Sequence, residues 1–187
     1  MATTNHSPLD RYMVTEKYIV TRGTALHFPP KIFGKLVTSK DTIYGVVVDM
    51  PMSPTLLGTL VMYINGAANL YFNNGAEYIG AAQKYQTVAQ PARIAVASAP
   101  RLLPEAVKTT ATDLPNAQHH YIYLISKNGI YKKDLRLANL PNESKETQSF
   151  FYLYQQVMGA LQNAQVKDRS SAVRIFLMNT SRLLEAK

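Results

Sequence analysis

An α+β fold is predicted from Ile43 onward: a five-stranded antiparallel sheet and two main helices, in the order β-β-β-α-β-β-α. Three observations on this 187-residue chain predict it. Asn65-Gly66 and Asn128-Gly129 each lie between strand-like runs, and Asn-Gly is the preferred pair of a tight hairpin turn. Ile43 to Met50, IYGVVVDM, is β-branched and apolar on both faces, which marks a central strand covered on both sides. Two later stretches repeat apolar residues at spacings of three and four, as amphipathic helices do. Helices packed on one antiparallel sheet are the simplest layer solution for that order.

Residues 1 to 42 read as an N-terminal extension, and residues 43 to 187 as one α+β domain. In RYMVTEKYIV, the alternation of Tyr12, Val14, Glu16, Tyr18 and Val20 suggests a strand. FPPK is an extended turn, because proline fixes its own φ and moves its predecessor out of the helical region. KIFGKLV suggests another short strand. After Ile43–Met50, Pro51 and Pro54 end the central strand. A two-residue type I′ turn at Asn65-Gly66 would set Tyr63 opposite Ala68, Val61 opposite Leu70 and Thr59 opposite Phe72. Leu60, Met62, Ile64, Ala67, Asn69 and Tyr71 then share the other face, so both faces are mainly apolar.

NNGAEYIG is a turn into a helix that begins near Ile79 or Ala81. That helix places Ala82, Tyr85, Ala89, Ala92, Val96, Ala99 and Leu103 in one stripe, with a kink or break expected at Pro91. PEAVKTTATDLPNAQ is a connecting loop before the second hairpin, HHYIYLIS and IYKKDLRL around the turn KNG. Asn142 or Ser144 would cap a helix running to about Gln165, with Phe150, Tyr154, Val157, Met158 and Leu161 on one face. SSAVRIFLMNTSRLLEAK fits either period, and helix is favoured.

In outline this order resembles the profilin-like and roadblock-like layered α/β modules. More narrowly, GVVVDMP, YINGAANLYFNNGAEYIGAA, LPNAQHHYIYLISKNGIY and YLYQQVMGALQ, across residues 45 to 161, resemble a family of small uncharacterised bacterial proteins. The resemblance implies a bacterial protein of one domain; it brings no activity and no catalytic residue. NNGAEYIG departs from that family's glycine-richer turn.

With 47% hydrophobic and 17% charged residues, the chain has the composition of a globular protein. It contains no cysteine, which excludes disulfides, thiolate zinc sites and a cysteine nucleophile. The first residues lack a signal-type apolar core, and no apolar run reaches the roughly 18 residues of a bilayer span. A cytoplasmic protein is therefore expected. The net charge of +8 raises nucleic acid or an anionic membrane as partners. Its scatter along the chain argues against both, since Lys127, Lys132, Lys133 and Arg136 form the only tight group.

Several residues invite a chemical reading. Gly75 to Gly80 leads into a helix and permits an anion there, yet no G-x-x-x-x-G-K-[ST] or G-x-G-x-x-G motif is present and Glu77 already carries a negative charge; turn chemistry is the simpler account. The histidines are His6, His27, His119 and His120, and adjacent strand residues such as His119 and His120 point to opposite faces. Exposed strand-edge histidines are expected, with neither metal nor cofactor. Asp49 at the end of the buried strand could act as a general base, and with Glu77 and Tyr78 it would line a ligand pocket at the sheet end. Tyr121, Tyr123 and Tyr131 share a hairpin with Lys127, Lys132 and Lys133, a combination that can stack and clamp single-stranded nucleic acid; that partner is not favoured. The doubly apolar sheet needs a cover on its second face: the N-terminal section, the C-terminal segment or a second copy. The expectation is a non-enzymatic interaction module, a homodimer that also binds a protein partner, with Leu60, Met62, Ile64, Asn69 and Tyr71 at its interface.

Overall fold

The computed structural model describes the backbone of residues 11–185 and the side chains of residues 11–172. It is an α+β arrangement around an antiparallel sheet of seven strands, not five. The strands are β1 (Gly45–Pro51), β2 (Leu57–Tyr63), β3 (Ala68–Phe72), β4 (Glu77–Tyr78), β5 (Val107–Thr109), β6 (His119–Ser126) and β7 (Gly129–Arg136), in the spatial order β4-β3-β2-β1-β6-β7-β5. All five expected strands are present. The two additions, β4 and β5, are edge strands of two and three residues, inside segments read as turn and loop. Runs that short carry no alternation to read. β1 lies at the centre, paired with β2 and β6 and buried along nearly its whole length.

The helices are α1 (Glu16–Leu26), α2 (Ala81–Lys84), α3 (Gln86–Ser98) and α4 (Lys145–Glu185), with 3-10 segments at Pro30–Leu36, Ala99–Glu105 and Leu137–Asn142. The N-terminal section therefore holds a helix and a 3-10 segment where two strands were expected. Thr15 caps α1 by accepting the Tyr18 N–H at 3.3 Å, and Glu16 follows in the first turn. The buried residues Tyr18, Arg22, Ala25 and Leu26 have helical spacing, whereas the alternating set leaves Glu16 and Val20 exposed. The break expected at Pro91 falls instead at Tyr85, whose φ of −125° and ψ of 110° separate α2 from α3. α3 runs on through Pro91. Ser144 is the cap of α4, accepting the Thr147 N–H at 3.0 Å. That helix continues for 41 residues, about 60 Å at 1.5 Å per residue, so the ambiguous C-terminal stretch is helical through Glu185.

The first hairpin differs from expectation by one residue. Tyr63 N–H bonds to the Ala67 carbonyl and Gly66 N–H to the Tyr63 carbonyl, making a three-residue loop of Ile64, Asn65 and Gly66. The Asn65 side chain stabilises this loop by accepting the Ala67 N–H at 3.0 Å, and Gly66 takes a φ of +92°. Met62 then faces Ala68, Leu60 faces Leu70 and Gly58 faces Phe72. A one-residue slip turns a strand over. The two faces are therefore sorted differently from the two-residue reading: Leu60, Met62, Ala68 and Leu70 on one side, Thr59, Val61, Tyr63, Asn69 and Tyr71 on the other.

Both faces are covered within the chain. α3 and α4 pack on Val46, Val48, Leu60, Met62, Ile122 and Leu124. The small residues Ala92 and Ala95 let α3 lie close to the sheet, and Ala99 continues the same buried stripe into the 3-10 segment that follows. On the second face, Ala25, Leu26, Phe33 and Val37 of the N-terminal section cover Val47, Val61, Tyr63, Tyr123 and Ile125.

Gly66 fixes how α3 meets the hairpin tip. A Cβ there would stand 2.9 Å from the Ala89 carbonyl oxygen and from Arg93 Nε, on a backbone already at positive φ. Gly66→Ala is expected to lower stability by more than about 1 kcal/mol. Urea unfolding would register this as a lower midpoint at unchanged m-value, and an unchanged midpoint would contradict the packing described.

Candidate functional site

The most highly connected polar site lies inside the second face. Asp49 is fully buried, and both of its carboxylate oxygens are engaged. Arg22 donates from Nη2 to Oδ2 at 2.6 Å and from Nε to both oxygens at 3.0 and 3.1 Å, while Thr59 Oγ1 donates to Oδ1 at 2.6 Å. Tyr18 and Thr59 share a hydrogen bond of 2.5 Å. The remaining donors of Arg22 reach the carbonyls of Thr112 and Asp113, and its guanidinium lies over the Tyr123 ring at 5.5 Å. Burial alone would lower the Arg22 pKa; the charge and hydrogen bonds of Asp49 overturn that and raise it. Burial, with the Asp49 charge behind it, pushes the Tyr18 hydroxyl well above its ordinary value. This constellation ties α1 to the central strand. The partner sequence reasoning missed is Arg22, whose signal is an arginine within an amphipathic helix stripe facing a buried aspartate.

Asp49, Glu77 and Tyr78 are not brought together. Glu77 forms an ion pair with Lys17 at 3.0 Å near the surface. Tyr78 packs on the helix-side core and donates to Asp168 Oδ2 at 2.9 Å. Tyr85 donates to Oδ1 of the same carboxylate at 2.8 Å, which ties the break before α3 to α4. These two hydroxyls hold the Asp168 carboxyl below its usual range. The glycines at 75 and 80 build turns: Gly75 N–H closes on the Phe72 carbonyl, and Gly80 N–H donates to the Asn69 side chain.

The expected interface set is dispersed by the register. Leu60 and Met62 are wholly buried beneath the helices, so they lie in the core and not on a surface. Ile64 is half-buried at the hairpin tip, and Asn69 and Tyr71 lie on the opposite face. The aromatic and basic hairpin is likewise divided. Tyr121 and Tyr123 are core residues, and Tyr131 packs on the helix side. Lys132 lies 3.4 Å above the Tyr121 ring and pairs with Asp113, while Lys133 is held between Glu105 and Glu143 at 2.9 and 2.8 Å. Lys127 is exposed at the turn.

Of the histidines, His27 is exposed and His119 pairs with Asp134 at 2.8 Å. His6 lies outside the described residues. His120 is buried, not an exposed edge residue, and shares a 2.7 Å hydrogen bond with Tyr154. No group of three potential metal ligands occurs among the described residues, and none of the described helices is long and apolar enough to cross a membrane.

What opens outward is a groove of about 340 Å³ between α1, the 3-10 segment Pro30–Leu36 and the β2–β3 hairpin. Phe28, Phe33 and Tyr63 form its floor, with ring centroids 4.9 to 5.9 Å apart. Tyr63 is oriented by donating its hydroxyl to the Ala25 carbonyl at 3.0 Å. Val20 and Ile32 stand at its rim, 61% and 62% exposed. Thr21, Thr24, Asn65 and Asn69 add hydroxyl and amide groups. A second hollow of about 390 Å³ adjoins it around the β3 edge, sharing Ala67, Asn69 and Tyr71.

Two outcomes follow from the buried groups. Arg22→Met leaves a buried carboxylate without a partner and should cost about 3–5 kcal/mol, whereas Arg22→Met with Asp49→Leu should recover most of the loss. Guanidinium unfolding of the three proteins measures this, and a double variant as unstable as the single one would refute it. Burial depresses the His120 pKa from 6.5 to about 4. Between those values the unfolded chain binds a proton the folded one refuses, so this contribution is complete above about pH 6.5 and is lost as pH falls towards 4. It amounts to roughly 3 kcal/mol at most. His120→Gln should flatten the stability profile across that window, and an equal slope in both proteins would exclude His120 as its source.

Set against protein-family models, curated proteins and solved structures, the chain matches none of them. The likeness to small bacterial proteins and the profilin-like outline rest on the sequence motifs and element order alone.

Proposed function

We propose that the chain is a non-enzymatic interaction module of the cytoplasm that docks an apolar segment of a protein partner in the groove beside α1. One observation carries the reading: Val20 and Ile32 stay exposed at the rim of a concavity floored by Phe28, Phe33 and Tyr63. Apolar surface gathered around a hollow characterises interaction sites, and an aromatic floor with a polar rim is the anatomy of an anchor pocket. The buried ionisable groups have internal partners instead: Asp49 with Arg22, His120 with Tyr154. A homodimer is the form of this reading in which a second copy supplies the segment. A small apolar ligand is the second reading, favoured by a volume within the roughly 300–1,000 Å³ of ligand pockets.

Val20→Asp combined with Ile32→Asp sets two carboxylates on the rim without entering the core. The double variant is expected to keep the wild-type Tm and to lose the partner that crosslinking recovers with the wild type. Light scattering on both proteins identifies the homodimer: a wild-type dimer that the variant dissolves assigns the segment to a second copy. Recovery of the same partners by both proteins would remove the groove from the function.

A further inference from the structure

We infer that the segment received by the groove is acidic at the end that meets the β2–β3 hairpin tip: an extended partner peptide with an apolar or aromatic anchor and a carboxylate beside it. This rests on the groove reading above and adds the chemistry of the partner.

The groove has a direction. At one end the last turn of α1 carries Ala25, whose carbonyl accepts from the Tyr63 hydroxyl, and Phe28 and Asn65 close the hollow. At the other end stand Val20 and Tyr71, with the Lys17–Glu77 ion pair beyond them and Glu16 one helical turn before Val20. No Lys, Arg, Asp or Glu lines the groove itself, so charge enters only at its ends.

The hairpin end is cationic. Arg93 of α3 is exposed and donates from Nε to the Asn65 carbonyl at 3.1 Å, and Asn65 lines the groove. Its two Nη groups have no partner among the described residues. Gly66 makes this placement possible, since a side chain there would collide with Arg93 Nε. A guanidinium fixed through Nε still presents donors that a carboxylate accepts in a planar, directional geometry. At the far end Lys17 is already matched by Glu77. The apolar floor supplies the anchor, and the charge difference between the ends sets the direction in which the segment lies.

The test is selection from a library of short random peptides displayed on phage, run on the wild type and on Arg93→Gln, Arg93→Lys and Val20→Asp. Circular dichroism verifies that each variant is folded. Wild-type protein is expected to enrich peptides with Asp or Glu next to a Leu, Phe or Tyr anchor. Arg93→Gln should lose the acidic bias and weaken a synthesised winner by up to about fivefold, as exposed charge pairs do. Arg93→Lys should keep the bias, and Val20→Asp should abolish enrichment. Winners without acidic residues, or an equal acidic bias on Arg93→Gln, would overturn the acidic assignment and leave the docking groove standing. Enrichment on Val20→Asp equal to the wild type, or none on any protein, would overturn both.

Discussion

Asp49 lies in the middle strand of the sheet, out of contact with water, and a carboxylate there is tolerated only when its charge is answered. Arg22 answers it, and the consequences spread from that pair. The guanidinium must come from a helix laid across the strands, so α1 can dock with one face and at one position only. Thr59 and Tyr18 complete the shell, and the carbonyls of Thr112 and Asp113 bring the loop before β6 into the same contact. Buried ion pairs add little net stability compared with apolar replacements of the same shape. What this one adds is selection among docking geometries, which an apolar contact between α1 and the sheet would leave loosely defined.

Docking α1 there resolves the doubly apolar sheet. β1 is covered by α3 and α4 on one side and by residues 12 to 44 on the other, so the sheet itself offers no broad face to a partner. The cover is incomplete where α1 and the 3-10 segment diverge over the hairpin tip, and the groove is the gap between them. The proposed docking groove is thus a seam between the N-terminal section and the sheet.

The strongly patterned elements were legible in the sequence. The β-branched run gave the central strand, and Phe150, Tyr154, Val157 and Leu161 gave the face of α4 that meets the core. Local signals with two solutions were not. Asn65-Gly66 suits a two-residue turn, yet the Asn65 side chain and the approach of α3 favour three residues, and that single residue separated Leu60 and Met62 from Asn69 and Tyr71, which the shorter turn would have set on the same face. In the N-terminal section, alternation over five residues competed with a Thr15 cap and a helical burial period, and tertiary packing decided for the helix. The groove was not legible at all. Val20, Phe28, Tyr63 and Asn69 come from α1, the loop after it, β2 and β3, and no spacing in the chain relates them.

The anchoring of α1 also orders events during synthesis. On the ribosome α1 emerges before the contacts that hold it, which lie at Asp49, Thr59, Thr112 and Asp113, and Tyr12 binds the Pro115 carbonyl. More than half of the protein must be made before Arg22 has its full set of partners. Until then the central hairpin can pair locally, while the helix that precedes it waits as an amphipathic segment carrying an uncompensated charge. The helix is thereby made well before it can be locked, and the aromatic face it covers stays open for that interval.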